Sequence, residues 1–305
     1  MLNAVLRSFG SIPVRAPRGA DAMLHALRAG VSATVLAVAF PLAVWAQDAA
    51  PAQRTVFLEL FTSQGCASCP PADDFMHQLA TRDDVIALSL HVDYWDYIGW
   101  VDTLADPEHA ERQKRYARRH GQSTIYTPQM VINGIDFVEG FRTAEVDDAI
   151  AMHHARTPEV EIALQRTEAG ALEILATPLQ EFAPALAMAS RRSAMPGVSA
   201  ILRPRPMSEA GAADLAPVAR GLVENGDYIV ELIRYVPEVT VAIDAGENAG
   251  RSAVYNNVVT SWRTLGAWDL QAPLAMTVAL DGSDPIVVLI QERGQGEVIA
   301  AARLR

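Results

Sequence analysis

The sequence predicts an α/β domain followed by a mostly antiparallel, β-sandwich-like domain. An apolar run at residues 56–61 leads through a loop into a helical pattern, and a second apolar run at 85–92 follows that helix. This order of strand, helix and strand is typical of a right-handed crossover between parallel strands. Beyond Glu159 the period of the apolar residues becomes two, as in half-buried strands. The predicted structural class therefore changes from α/β to mainly β near the middle of the chain.

Length, composition and charge limit the class of protein. The 305 residues are 50% hydrophobic and 20% charged, which is ordinary for a soluble globular protein of two domains. The formal net charge of −11 opposes binding to a phosphate backbone, so no nucleic-acid partner is expected. A basic cluster at 112–120 lies in a helical pattern and is interpreted as a solvated helix face.

Residues 1–46 are predicted to be a secretory signal peptide. Basic residues precede an apolar run at 31–45, and small residues around Ala46 form a cleavage site. The run is shorter than the ~20 residues of a membrane span and contains Pro41, so no stable membrane insertion is expected after cleavage; a retained anchor is the alternative. Met23 is an alternative start to Met1. The mature protein is expected to be periplasmic or secreted, with a linker at 47–54.

The first domain is predicted to occupy residues 55–156. Pro70 and Pro71 fit only the first turn of a helix, so a helix is expected to begin at the cysteine pair just before them and to run to about Thr81. The remaining predicted elements follow in chain order: a helix at 107–120 that ends at Gly121, a strand at 129–132, a hairpin turn at Asn133-Gly134 and a helix at 145–154.

The second domain is predicted to occupy residues 157–305. Strands separated by turns rich in Gly, Pro and Asp indicate an antiparallel sandwich. These strands are predicted at 160–164, 172–175, 228–235, 239–243, 276–280, 286–290 and 298–302. Residues 184–217 lack such a pattern and are interpreted mainly as a loop. The domain is expected to add a binding surface or a homodimer interface.

The two cysteines of the chain, Cys66 and Cys69, are the candidate catalytic residues. At the start of a helix, Cys66 would lie at the exposed tip, where unpaired backbone N–H groups stabilise a thiolate, and Cys69 about one turn inside. Cys66 is therefore predicted to be the attacking nucleophile and Cys69 the resolving thiol. An inert structural disulfide is the alternative. A zinc site would need further ligands that the spacing of the other His and Cys residues does not offer.

An acidic residue in the strand before the cysteines is a further candidate. Glu59 lies in an otherwise apolar run, seven positions before Cys66. A buried carboxylate there could exchange a proton with Cys69 when the resolving thiol attacks. The alternatives are a side chain that faces the surface and a salt bridge to an arginine.

An aromatic and acidic loop follows the second predicted strand. Loops after the strands of a parallel sheet lie at its carboxyl edge, where functional sites form. The sequence therefore predicts a substrate groove here. Local packing of the aromatic residues is one alternative, and a metal held by His91 and Asp93 is another. The predicted groove residues are His91, Asp93, Tyr94, Trp95, Trp100 and Thr127.

Three stretches of the first domain resemble a known family. They are ELFTSQGCASCPPAD at 59–73, HVDYWD at 91–96 followed by Gly99-Trp100, and YTPQMV at 126–131. They are similar to the secreted thioredoxin-like family known as domain of unknown function 1223, and parts of 246–259 are similar to it as well. The resemblance implies a thioredoxin-like fold, in which a cis Pro128 lies beside the disulfide and orients a substrate chain. Without the cysteine pair, a trans turn proline would be the expectation.

Together these features predict an exported thiol–disulfide oxidoreductase that acts on protein or small-molecule thiols and disulfides. No cofactor and no metal are expected, since electrons pass between sulfur atoms. Two alternatives remain open. One is a binding module of the cell envelope that retains the fold and has a structural disulfide; the other is a metal chaperone that uses the two thiols and a histidine.

Overall fold

Two β-sheets and three α-helices make up the part of the chain that the computed structural model describes, residues 54–179 and 219–305. The helices are α1 (Pro70–Ala80), α2 (Pro107–Arg119) and α3 (Thr143–His154), with a short 3-10 helix at Asp96–Ile98. The strands are β1 (Val56–Thr62), β2 (Val85–His91), β3 (Gln129–Ile132), β4 (Asp136–Glu139), β5 (Val160–Arg166), β6 (Leu172–Pro178), β7 (Ala219–Arg220), β8 (Tyr228–Ile243), β9 (Arg251–Trp268), β10 (Leu274–Val278), β11 (Ile286–Glu292) and β12 (Val298–Leu304). The predicted signal peptide, the linker up to residue 53 and the predicted loop at 184–217 lie outside the described residues.

The helix ends follow local sequence signals. Pro70 opens α1, where a proline ring costs no backbone hydrogen bond. Asp106 caps α2 by accepting a hydrogen bond from the backbone N–H of Glu108 at 2.9 Å. Gly121 follows the end of α2 with φ +68°, a conformation that glycine adopts without strain. Among the helices described, none combines the length and apolar character that a membrane crossing requires.

The larger sheet has eight strands in the order β12-β11-β8-β9-β2-β1-β3-β4. β1 and β2 are parallel, and their register ends with Thr62 opposite His91. β3 runs antiparallel to β1, and the Asn133-Gly134 turn connects it to β4 as predicted. The carboxyl ends of β1 and β2 therefore lie together, and the loops that follow them meet at one edge of the sheet.

The predicted separate sandwich at 157–305 is not formed. Strands β8, β9, β11 and β12 belong to the same sheet as β1 to β4, because β9 pairs with the free edge of β2 at Ser89 and Val258. Only β5, β6, β7 and β10 form a second, antiparallel sheet. The 16-residue strand β8 spans two predicted strands, and the 18-residue strand β9 was not predicted. The described residues thus lie in one compact unit across the predicted domain boundary at 156/157.

Helices and the smaller sheet cover the two faces of the large sheet. Leu58 and Leu60 of β1 face α1 and α3, whereas Phe57 and Phe61 face the core beneath α2. At the other end, Trp268 is buried in a core shared with the smaller sheet. The molecule is a mixed α/β structure in which strands predominate.

A buried arginine connects both halves of the chain. Arg112 of α2 donates hydrogen bonds to Glu59 of β1 from Nε at 2.5 Å and from Nη2 at 3.2 Å. Its Nη2 atom also donates to Gln291 of β11 at 3.1 Å. The guanidinium lies 3.7 Å from the ring centroid of Trp262 of β9. The interpretation of 112–120 as a solvated face is therefore wrong for Arg112, whose charge is neutralised inside the protein.

We expect Arg112→Ala to lower the free energy of unfolding by about 3–5 kcal/mol, since it leaves the Glu59 carboxylate buried without its partner. Urea denaturation measures the change. Arg118→Ala, on an exposed position of the same helix, should change the stability by no more than about 0.5 kcal/mol. Equal losses in the two variants would contradict the central role of the buried pair.

Candidate functional site

The cysteines form a disulfide within a turn that precedes α1. The Cys66–Cys69 bond joins Cα atoms 5.4 Å apart. The N–H of Cys66 donates to the carbonyl of Ser63 at 3.1 Å, and Cys69 is the N-cap residue of α1. The positive end of the helix therefore begins at Cys69, three residues later than the sequence predicts.

The predicted exposure of Cys66 at the helix tip is wrong. Both cysteines are 0% exposed, whereas Ala67 and Ser68 between them are exposed. A residue far along the chain lies at this turn, since the Asn248 side-chain amide donates to the carbonyl of Cys66 at 2.9 Å. The disulfide lies beneath an exposed dipeptide and does not reach the surface in this state.

Thr127 and Pro128 lie beside the disulfide turn. The peptide bond between them is cis, as predicted. The Ser68 hydroxyl donates to the carbonyl of Thr127 at 3.5 Å. Gly140 packs between Pro128 and Ala72 of α1, since a Cβ atom on this glycine would lie 3.1 Å from Pro128 Cβ and 2.9 Å from Ala72 Cβ. Pro128 thus lies close to the cysteine turn and the start of α1.

The aromatic loop packs against the same turn. Trp95 Nε1 donates to the Thr127 hydroxyl at 2.7 Å, and Trp100 Nε1 donates to Gln64 Oε1 at 2.8 Å. The Trp95 ring stacks on exposed Tyr97, with centroids 6.5 Å apart. Trp95, Trp100 and Thr127 thus lie next to the turn.

Two other predicted groove residues have local structural contacts. The Tyr94 hydroxyl donates to Gln113 of α2 at 3.1 Å. Asp93 is half-buried, and its carbonyl accepts from the N–H of Asp96 at 3.0 Å, which starts the short 3-10 helix. The expected alternative of local packing describes Tyr94 better than a groove does.

His91 lies beneath the loop and does not line a groove. Its side chain is fully buried, and its Nδ1 atom lies 2.8 Å from Asp102 Oδ2. The same carboxylate oxygen accepts from the N–H of Gln64 at 2.8 Å, so this pair also holds the start of the disulfide turn. Burial opposes ionisation of Asp102, but the hydrogen bond and charge of His91 outweigh it and lower the pKa of Asp102.

The metal site that the sequence left as an alternative has no matching set of ligands within residues 54–179 and 219–305. No cluster of three His, Cys, Asp or Glu side chains suited to a metal ion occurs among these residues. The acidic partner of His91 is Asp102, not Asp93.

Glu59, the predicted proton carrier for Cys69, lies in a buried ion pair on the other side of the sheet from α1. It shares the sheet face of Phe57 and Phe61, whereas α1 packs on the opposite face. Its carboxylate is held by Arg112 and by the Tyr116 hydroxyl. The salt bridge that the sequence left as an alternative is the observed state, so we do not retain Glu59 as a proton carrier.

Asp73 is the buried acid that the sequence analysis missed. It lies one helical turn after Cys69, with its N–H donating to the Cys69 carbonyl at 3.1 Å. The side chain is 8% exposed and accepts a hydrogen bond from the Thr62 hydroxyl at 2.7 Å. Desolvation raises the pKa of Asp73 to about 7, although Thr62 and the charge of His91 oppose the shift.

The position of Asp73 in the helix gave a signal of its burial. It lies between Ala72 and Met76, both fully buried, on the side of α1 that faces the sheet. A nearby cavity of about 140 Å³ is lined by Asp73, Asn248 and Tyr255, among others. The site thus combines a disulfide, a buried carboxyl group near neutral pKa and a small cavity.

Comparisons with known proteins identify relatives of the chain. A crystal structure of a structural-genomics target from Agrobacterium tumefaciens has a TM-score of 0.59 and 26% identity, and the match covers 84% of this chain and 96% of that one. HBP35 of Porphyromonas gingivalis matches with a TM-score of 0.46 and 10% identity over 83% of this chain and 75% of that one. We draw no conclusion from this weak similarity. No curated protein sequence matches the chain. The profile described as "Protein of unknown function (DUF1223)" matches residues 57–186 and 173–291, so the chain belongs to this family.

Proposed function

We propose that the protein is an exported thiol–disulfide oxidoreductase that reacts through Cys66 and Cys69. The observation that carries the proposal is the position of the disulfide, which lies at the N-terminus of α1 and next to the loop of Thr127 and Pro128. Cys69 is the N-cap residue of α1, so the positive end of the helix dipole would favour a thiolate formed there. A disulfide also suits the periplasmic or secreted location expected from the sequence.

A thioredoxin-like arrangement of the first half supports this proposal. β1, α1 and β2 form the predicted parallel crossover, and a cis proline precedes β3. The strand order β2-β1-β3-β4, with β3 antiparallel to both of its neighbours, agrees with such a domain. In this interpretation β8, β9, β11 and β12 are additions to one edge of its sheet.

The proposed exchange conserves atoms and electrons. In the reducing direction, the Cys66 thiolate attacks a partner disulfide, forms a mixed disulfide and releases one partner thiolate. The Cys69 thiol then loses its proton and attacks Cys66 Sγ, which restores the Cys66–Cys69 bond and releases the second thiolate. The partner is reduced by two electrons and the cysteine pair is oxidised. The oxidising direction reverses these steps.

We propose Asp73, in place of Glu59, as the group that exchanges the proton with Cys69. Asp73 lies one turn after Cys69 on α1 and is almost fully buried, and its pKa near 7 suits both taking and giving a proton at neutral pH. The charges of His91, Asp74 and Asp102 act on this carboxyl group, and the cavity lined by Arg251 and Tyr255 adjoins it. A proton on Asp73 thus lies close to a cavity that is large enough to hold water.

A second candidate is a binding module whose disulfide is structural. The complete burial of both cysteines favours this candidate, because the sulfur atoms of an exchange site must meet a partner. The two candidates differ in the reduction potential of the pair, which is below about −300 mV for typical structural disulfides.

We expect the Cys66–Cys69 pair to equilibrate with glutathione at a potential between about −120 and −270 mV. Alkylation of the thiols in a glutathione series measures this potential. Cys69→Ala should accumulate mixed disulfides with partners at Cys66, and Cys66→Ala should not. A value below about −300 mV without trapped partners would favour the structural disulfide.

The buried carboxyl group of Asp73 should make the stability depend on pH. Between about pH 4 and pH 7 the folded protein keeps a proton that the unfolded chain has lost, so stability decreases as pH rises. Asp73→Asn removes this titration. The variant should therefore gain stability over the wild type by a few kcal/mol between about pH 4 and pH 8.

Denaturant unfolding at a series of pH values measures this difference. Asp148→Asn is the control, because Asp148 is an exposed acid on α3 and is not among the charges that shift the pKa of Asp73. The control should keep the wild-type pH dependence. If Asp73→Asn keeps it as well, Asp73 does not titrate near neutrality and the proton-transfer role fails.

A further inference from the structure

The β8–β9 hairpin reaches the disulfide turn with its tip. The outer part of the hairpin pairs Val239 with Tyr255 and continues to the pair of Ile243 and Arg251. The tip, residues 244–250, is closed by a hydrogen bond from the N–H of Gly250 to the carbonyl of Ile243 at 2.7 Å. This tip is more than 170 residues from the cysteines along the chain, yet it packs against them.

Asn248 of the tip holds the backbone on both sides of Gly65. Its Nδ2 atom donates to the carbonyl of Gln64 at 2.9 Å and to the carbonyl of Cys66 at 2.9 Å. The side chain is buried, so water does not compete readily for these two bonds. The amide group therefore fixes the path of the chain directly at Cys66.

A second set of contacts joins the tip to the aromatic loop. Gly246 lies so close to Trp100 that a Cβ atom on this glycine would be 3.0 Å from Trp100 Cβ. Trp100 in turn donates to Gln64 Oε1, and Gln64 accepts from Asn248 through its carbonyl. The tip, the aromatic loop and the disulfide turn thus form a closed ring of contacts around Gln64.

We propose that Asn248 is a positioning residue that latches the disulfide turn shut, so that Cys66 reacts only when the hairpin tip is released. This inference rests on the proposed function and explains how a buried disulfide can exchange with a partner. Two hydrogen bonds of ordinary length keep the closed state dominant, and local opening of such a turn occurs without unfolding the sheet. Asn248 is not assigned any part in bond making, since its observed contacts are to backbone carbonyls.

The test is the rate at which a phosphine, tris(2-carboxyethyl)phosphine, reduces the oxidised full-length protein under native conditions. Asn248→Ala loses both hydrogen bonds and should react about tenfold faster than the wild type, which corresponds to about 1.4 kcal/mol less cost of opening. Asn248→Asp keeps the size of the side chain but cannot donate to the two carbonyls, and it should react at least as fast. Mass spectrometry after alkylation counts the thiols.

Asn257→Gly is the matched control. Asn257 lies on the same hairpin and donates to the carbonyl of Ala87 at 2.9 Å, away from the cysteines. Its φ of +50° is one that glycine adopts easily, so the change removes a buried amide without backbone strain. Its reduction rate should stay within about twofold of the wild type. An equal acceleration in this control would mean general loosening and would overturn the latch.

Hydrogen exchange of the wild type provides a test without substitutions. The amides of 64–66 and 244–250 should open together, with similar protection. Free exchange at the tip beside a fully protected disulfide turn would overturn the latch. Unchanged reduction rates in both Asn248 variants would also overturn it, while a wild-type potential in the enzymatic range would leave the proposed function intact. If the variants are reduced faster and the wild-type protein has a potential typical of structural disulfides, the latch is supported and the oxidoreductase is rejected.

Discussion

The charge of Arg112 in the protein interior is the constraint on which the architecture depends. A guanidinium removed from water is stable only where carboxylates and other acceptors surround it. Here Glu59 of β1 and Gln291 of β11 supply them, and Trp262 of β9 covers the cation. No single half of the chain provides all of these groups. The full set of contacts to Arg112 therefore forms only when strands of both halves lie in one sheet.

The parallel pairing of β1 and β2 determines where the chemistry lies. It places Thr62 beside His91 at one edge of the sheet, and the disulfide turn and the aromatic loop follow from these two positions. Behind the turn, polar side chains replace water as hydrogen-bond partners: Thr62 donates to Asp73, and Asp102 accepts from the N–H of Gln64. The buried site is therefore polar as well as enclosed, and its carboxyl groups respond to their surroundings in opposite directions.

Elements that a few neighbouring residues specify were predicted correctly, whereas long-range contacts were not predicted. Prolines at the start of α1 and the Asn133-Gly134 turn specify their elements locally, and both are found where the sequence places them. The backbone carbonyl of Cys66 is held by the distant Asn248, and the role of Glu59 depends on Arg112, which looks in sequence like one member of an exposed basic cluster. Nothing in the alternation of apolar residues showed that β9 pairs with β2. Such pairings join distant segments, for which hydrophobic periodicity carries no partner information.

The pairing of β9 with β2 has a practical consequence for the design of truncated variants. A fragment that stops after α3 would present the unpaired edge of β2, with its row of free N–H and carbonyl groups, to other molecules in solution. It would also leave its cysteines without the Asn248 amide. Self-association and a more reactive thiol pair would then result from the truncation. Measurements of thiol reactivity on this fragment would not describe the intact chain.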